Sequence, residues 1–331
     1  MAKATLPLWV LPFVDEPAHG VLLRLAERNG MATMHRLSAL TGLTSKQLRC
    51  GVGLSRLAEV GHCDVEALLH SSFSVVDDEC LVRNESIGTK RLLPQTKRRL
   101  CPHCVRERPS HRFWFDLAFI SACPFHNAQL VADCSCGRAL SWTDVQIRKC
   151  RHCYDGDVTR LTPAASSLDE TEVDQWALGR LGVGTGVSAP SLDTMSLNAA
   201  LHVIERIGIL EAGGYRNTWT DVGDLDESAA ELRSRGFQAI KEGRLGVVLD
   251  KVYAGYLASE RRRPPTINNA YGWLAEWFRD LRPPHMAAYF ADAVFANAAS
   301  KFEISGRDLR RFALDRRSLS SAVDLSFIRQ R

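Results

Sequence analysis

Apolar side chains recur at helical spacing along most of the chain. Near the start, Val21, Leu22 and Leu25 share one face and Asn29-Gly30 provides a stop, so we predict a helix from about residue 18 to 28. After a composition shift at residues 161–170, interpreted as a linker, further apolar stripes follow. They lie at Leu197–Ile204, Leu245–Leu257, Ile267–Phe278 and Phe290–Ala298. The pattern predicts a mostly α protein.

Two other parts of the first 82 residues depart from a plain helix. Residues 6–16 are apolar but contain Pro7 and Pro12, which favours an extended arm lying on a domain. Residues 34–48 are typical of a helix, a glycine turn at Gly42 and a second helix, and residues 57–68 partly repeat this arrangement. The repeats predict two helix-turn-helix-like units, which either read DNA or form an ordinary helical domain.

Four pairs of cysteine or histidine residues lie close together in the middle of the chain. Each pair places two soft or borderline donors within a few residues, as tetrahedral zinc requires. Eight ligands in four pairs predict two zinc ions per chain. The pairs are Cys101 and Cys104, Cys123 and His126, Cys134 and Cys136, and Cys150 and Cys153.

Composition supports the interpretation of these cysteines as metal ligands. Seven of the ten cysteines belong to the cluster, and Cys50, Cys63 and Cys80 lie outside it. The chain start lacks the features of a signal peptide, and no apolar run approaches the roughly 20 residues that a membrane helix needs. We therefore expect a cytoplasmic protein without a membrane partner, in a reducing compartment that favours metal thiolates over disulfides.

Four ligands per ion leave no open coordination position, whereas catalytic zinc keeps one. No catalytic residue is assigned, and we expect a protein that is not an enzyme.

Sequential pairing of the ligand pairs is preferred because each site then closes short loops. The cross-braced alternative is the arrangement of RING ubiquitin ligases, in which two or three residues usually separate the central pairs. Seven residues separate them here.

Basic residues are concentrated beside the first ligand pair. Residues 83–112, termed the basic connector, contain nine lysines and arginines, with only Glu85 and Glu107 as acids. Charge runs are usually solvated faces, but a rigid metal knuckle would hold these side chains together for phosphate contact. The predicted nucleic-acid or partner-binding residues are Lys97, Arg98, Arg99, Arg106, Arg108 and Arg112.

The first 155 residues resemble the TniQ/TnsD family of bacterial transposition proteins. The resemblance rests on Arg98-Arg-Leu-Cys-Pro-His-Cys104, on Cys123-Pro-Phe-His126 with Leu130, and on the two later cysteine pairs. The opening, with Leu11-Pro12, Glu16 and the stretch Leu22–Ala26, is also similar to the family. The family's Ser-Trp element is not evident before Arg24, where His19-Gly-Val-Leu-Leu stands.

Membership of this family implies a target-selection factor for transposition. Such a factor recognises DNA, or a DNA-bound CRISPR effector with its guide RNA, and recruits an AAA+ ATPase. A homodimer is a further option. The rival hypotheses are a stand-alone sequence-specific DNA-binding protein and a RING-type ubiquitin ligase. The predicted domains are an N-terminal helix-turn-helix-like domain with its arm (1–82), a basic connector with a double zinc-finger or knuckle region (83–160), and a C-terminal helical domain (161–331).

Overall fold

The structure is a computed structural model that describes residues 6–77, 79–88, 91–93, 97–153, 156–260, 263–280 and 288–306. The prediction of a mostly α fold is confirmed, since helices dominate these residues and strands are few and short. Parts of the basic connector (89–90 and 94–96) and of the C-terminal region (281–287 and 307–331) lie outside the described residues.

The described helices are α1 (Ala18–Arg28), α2 (Met34–Thr41), α3 (Ser45–Leu48), α4 (Leu54–Gly61), α5 (Val65–Leu69), α6 (Pro102–Glu107), α7 (Leu168–Arg180), α8 (Pro190–Asp193), α9 (Leu197–Gly213), α10 (Ala229–Lys241), α11 (Leu245–Ala258), α12 (Ile267–Tyr271), α13 (Trp273–Asp280) and α14 (Ala288–Ala299). The strands are β1 (Ser74–Val76), β2 (Glu79–Val82), β3 (Glu85–Ser86), β4 (Ala122–Cys123) and β5 (Ala128–Gln129).

Helix α1 and the arm before it follow the sequence pattern. The inner face of α1 is buried, and the backbone N–H of Asn29 closes the helix by donating to Leu25. The arm is irregular and lies against this end of α1: Leu8 N–H donates to Asn29 Oδ1 over 3.0 Å, and Asn29 Nδ2 donates back to the Leu8 carbonyl over 2.7 Å. Two reciprocal bonds thus fix the arm at one point.

Both predicted helix pairs are present, but their second helices are very short. Gly42 ends α2 with a φ of 75°, and Thr44 forms a capping box with Gln47 at the start of α3. In the second pair the left-handed residue is His62, one position after the expected Gly61, and Asp64 caps α5. With four residues in α3 and five in α5, each spans only about 6–8 Å at the α-helical rise.

A small meander that the hydrophobic pattern did not predict follows α5. Strands β1, β2 and β3 form an antiparallel sheet in chain order, with Val75 opposite Cys80 and Val82 opposite Glu85. In β2, Cys80 and Val82 face inward while Glu79 and Leu81 face outward. Because β1 has three residues and β3 two, alternation over so short a stretch gives little signal in the sequence.

The described chain divides into two compact units. The first unit runs to Val187 and includes Ser196–Asn198, and the second comprises Ser188–Met195 and the residues from Ala199 on. Part of the interpreted linker belongs to α7, which Ser167 and Glu170 begin with a capping box. The division into domains 1–82, 83–160 and 161–331 stays a prediction.

Helices α9 and α10 approach each other closely within the second unit. A Cβ added at Gly208 would lie 1.8 Å from the Leu232 carbonyl oxygen, and one added at Gly236 would lie 1.9 Å from that of Ile204. Only glycine fits at either crossing position, since any side chain would push the helix backbones apart.

None of the helices in the described ranges is long and apolar enough to span a membrane.

Candidate metal centres

The first metal centre joins the start of α6 to the β4–β5 turn. Cys101 precedes α6 and Cys104 lies in its first turn, while Cys123 ends β4 and His126 follows in the turn. His126 Nδ1 lies 3.6 Å from Cys101 Sγ, 3.4 Å from Cys104 Sγ and 3.4 Å from Cys123 Sγ. The sulfurs of Cys104 and Cys123 are 3.5 Å apart. A zinc tetrahedron with ordinary bond lengths has ligand-to-ligand edges of about 3.5–3.8 Å, so these residues fit zinc.

The second metal centre joins a tight turn at Cys134-Ser-Cys136-Gly137 to the pair Cys150 and Cys153. Cys134 Sγ lies 3.5 Å from Cys153 Sγ, and Cys136 Sγ lies 4.0 Å from Cys150 Sγ. Gly156 forms the floor, because a Cβ there would lie 2.8 Å from Cys153 Cβ and 3.0 Å from Cys150 Cβ. Cys136 is exposed, so this centre is more open than the first.

The ligand pairs therefore group in chain order. In each tetrad the ligand atoms lie within 4.8 Å of one another, with the first pair beside the second and the third beside the fourth. Both tetrads are compatible with a metal ion. In the first, hydrogen bonds from Cys104 and Cys123 lower the pKa of the Cys101 thiol, and the same contacts with Cys101 raise the pKa of Cys104 and Cys123. A thiolate in this position is the protonation state that a metal needs.

A third cluster, which the sequence analysis missed, lies in the core of the first unit. His19 Nε2 is 2.7 Å and His111 Nε2 is 3.0 Å from Asp116 Oδ2, and all three side chains are buried. Arg49 Nη2 lies 3.7 Å from Asp116 Oδ1. Both imidazoles make T-shaped contacts with the ring of Trp142, with centroids 4.6 Å apart and interplanar angles of 79° and 74°. The cluster thus connects α1, the end of α3 and the aromatic turn at Phe113–Asp116 to residues 134–153, termed the second metal region, which contains Trp142.

Distances and charges identify the third cluster as a hydrogen-bonded network. Both imidazoles reach the same carboxylate oxygen at hydrogen-bond length, and a guanidinium occupies the other side, where it would repel a cation. Burial lowers the pKa of His19 to about 4 and also lowers that of His111. Burial alone would raise the pKa of Asp116, but the two histidines hold it well below its usual range. Two neutral imidazoles therefore donate to one carboxylate that Arg49 neutralises.

The six predicted nucleic-acid or partner-binding residues have different surroundings. Lys97 and Arg106 are exposed, although Arg106 also donates to the Thr159 carbonyl. Arg98 is 1% exposed and lies 3.3 Å from Asp144, so it is not at the surface. Arg99 donates to the carbonyls of Phe115 and Leu117.

Arg108 and Arg112 hold the arm. Both donate to Asp15, with Arg112 Nη1 2.7 Å from Asp15 Oδ2. The ring of Phe13 lies between the guanidinium groups of Arg24 and Arg108, at 4.4 and 4.5 Å. These arginines are thus committed to the arm in this structure, and the phosphate-contacting role of all six residues stays a prediction.

Fold and site define a helical protein with two closed cysteine-rich tetrads and a buried polar core. Residues 7–130 match the TniQ family model. The matched region marks the chain as a transposition-associated protein. The first tetrad lies inside the match and the second lies beyond its end. No curated protein matches the chain.

Proposed function

We propose that this protein is a non-enzymatic target-selection adaptor for transposition. It would bind DNA, or a CRISPR effector with its guide RNA on DNA, and recruit an AAA+ ATPase regulator. The proposal rests on the match of residues 7–130 to the TniQ family and on two closed tetrads, each of which would hold one structural zinc ion. A homodimer fits the same role. The proposed compartment is the cytoplasm, where a bacterial transposition factor meets its DNA.

One observation favours an adaptor over a stand-alone DNA reader: the inward direction of Arg49. A recognition helix presents several side chains to the base edges of the major groove. Here α3 and α5 are too short for this, and the arginine that ends α3 is buried beside Asp116. Lys46 is the basic residue that α3 leaves at the surface. The RING alternative has less support, because its cross-braced pairing differs from the order in which the tetrads group.

The arm offers a surface for the protein partner. Leu8, Trp9 and Leu11 are exposed, Trp9 to 53%, and they line a cleft that also contains Arg24, Arg28 and Arg148. Exposed apolar side chains in such a group are typical of interaction sites. We propose that this face contacts the AAA+ regulator.

Replacing Trp9 with alanine is expected to weaken binding of the purified AAA+ regulator by at least about tenfold, because buried interface tryptophans are frequent hot spots. Isothermal titration calorimetry measures the affinity. Leu168→Ala is the matched control, since Leu168 is equally apolar and 79% exposed but lies on α7. Equal affinities for wild type and Trp9→Ala would exclude the arm as the docking face.

Removing charge from the exposed basic residues tests the nucleic-acid part of the proposal. For the double variant Lys97→Ala/Arg106→Ala we expect a shallower slope of log affinity against log salt concentration. The decrease should correspond to the loss of at most about two phosphate contacts. Fluorescence anisotropy across a salt series measures the slope. The double variant Arg36→Ala/Lys46→Ala, on the exposed face of the first helix pair, is the comparison. A change confined to this second variant would favour the stand-alone DNA reader.

A further inference from the structure

Glu107 lies behind the histidine ligand of the first metal centre. His126 directs Nδ1 towards the three sulfurs, while its other ring nitrogen, Nε2, lies 2.9 Å from Glu107 Oε1. Glu107 is the last residue of α6, the helix whose first turn carries Cys104. Residues three apart share a helix face, so one rigid element positions both a sulfur ligand and the carboxylate.

The two nitrogens of His126 then have fixed protonation states. A metal ion binds to an imidazole nitrogen without a proton, so Nδ1 must be bare and the ring proton must be on Nε2. Glu107 accepts a hydrogen bond from that proton, which selects this tautomer and holds the ring in the plane that faces the sulfurs. Carboxylates behind metal-binding histidines also make the other nitrogen a stronger donor to the metal.

We propose that Glu107 is a positioning residue of the first metal centre and increases its affinity for zinc. This inference rests on the proposed zinc occupancy. The ring of His103 packs on His126 with centroids 5.2 Å apart and helps to fix its orientation. The side chain of Glu107 is 64% exposed and that of His126 is 19% exposed, so the bond lies at the rim of the site. Solvent competition there favours an effect at the lower end of the usual range.

The second metal centre provides an internal control. Its four ligands are all cysteines, and Cys150 Sγ accepts a hydrogen bond from the backbone N–H of His152 over 3.4 Å. A backbone donor persists when a side chain is replaced. Changing Glu107 should therefore weaken the binding of one of the two ions and leave the other at its wild-type affinity.

The test compares Glu107→Ala and Glu107→Gln with wild type in the full chain. Competition with a chromogenic chelator measures the affinity for each zinc ion, and cobalt substitution reports the geometry of the site with three sulfurs and one nitrogen. For Glu107→Ala we expect an affinity about tenfold lower at one site, at the lower end of the usual range because the bond lies at an exposed rim. Glu107→Gln should lose less, because its amide oxygen still accepts the Nε2–H bond.

Nitrogen-15 spectra of the histidine rings separate positioning from general stability. In the zinc-loaded wild type, the Nε2 proton of His126 should exchange slowly with solvent, and in Glu107→Ala it should exchange rapidly at full zinc loading. Glu66→Ala is the matched control, since Glu66 is an exposed glutamate on the short helix α5.

Unchanged zinc affinity and unchanged proton exchange in Glu107→Ala would overturn the inference. A wild-type protein that retains no zinc would instead overturn the proposed cofactor. An equal loss of zinc affinity at both sites would also contradict the inference. Among the described residues, Glu107 contacts a ligand of the first centre and no ligand of the second.

Discussion

Cys104→Ser is expected to lose one of two zinc ions and to unfold the part of the first unit that surrounds the first metal centre. Cys104 Sγ lies 3.4 Å from His126 Nδ1 and 3.5 Å from Cys123 Sγ, so it faces two other ligands at once. Serine has a harder oxygen donor and a shorter bond, and it cannot maintain these edges around zinc.

The expected effect is large because structural zinc supplies folding free energy. Its apparent binding free energy is about 10–16 kcal/mol, whereas the net stability of a whole domain is about 5–15 kcal/mol. The first centre joins α6 to the β4–β5 turn, and the buried aromatic turn at Phe113–Asp116 lies between them in the chain. Loss of the ion would thus release the two ends of a core segment.

Elemental analysis and thermal unfolding measure this result. Wild type should contain two zinc ions, while Cys104→Ser should contain one and lose part of its cooperative transition. Cys63→Ser is the control, because Cys63 is half-buried and outside both tetrads. Cys153→Ser should also lose one ion, with a smaller loss of stability at the more open second centre. A folded Cys104→Ser protein with two ions would contradict the assignment of these ligands.

The metal tetrads could be predicted because their information is local. Each pair lies within four residues, and donor type with short spacing is sufficient to indicate a tetrahedral site. The long helices could be predicted for the same reason, since helical periodicity extends over ten or more residues. The β1–β3 meander was missed because strands of two to four residues leave too short a pattern.

The carboxylate partners of the arginines could not be predicted, because these partners lie far away in the sequence. Arg98 meets Asp144, and Arg108 meets Asp15. In the sequence both belong to an apparently solvated basic run. A sequence pattern gives the charge of such a run but not the carboxylate that folding places beside each member.

His19 and Gly20 together allow α1 to approach the buried network. A Cβ at position 20 would lie 3.1 Å from His111 Cβ, so glycine allows His111 to approach α1. His19 then shares Asp116 with His111, and Trp142 packs against both rings. The buried histidines and Asp116 gave no sequence signal, because they are distributed over nearly 100 residues of the chain.

Asp116→Ala is expected to destabilise the first unit by about 3–5 kcal/mol, which is the usual cost of removing one partner from a buried ion pair. The substitution leaves the Nε2–H groups of His19 and His111 without their acceptor and leaves Arg49 beside a cavity. Arg49 retains one bond, from Nη2 to the Leu93 carbonyl over 3.0 Å, which limits the loss. Chemical denaturation of the zinc-loaded protein measures the free energy of unfolding.

A double-mutant cycle with Arg49→Met separates the charge pair from simple loss of packing. The double variant should lose less stability than the sum of the losses in the two single variants. Each single variant leaves one buried charge without its partner, whereas the double variant leaves no buried charge at either position. The exposed residue Asp226 in the second unit supplies the control, and Asp226→Ala should change stability by less than about 0.5 kcal/mol. Strict additivity would contradict the pairing of Arg49 with Asp116. A stability equal to wild type in Asp116→Ala would contradict the role of the network as a connection between α1, α3 and the second metal region.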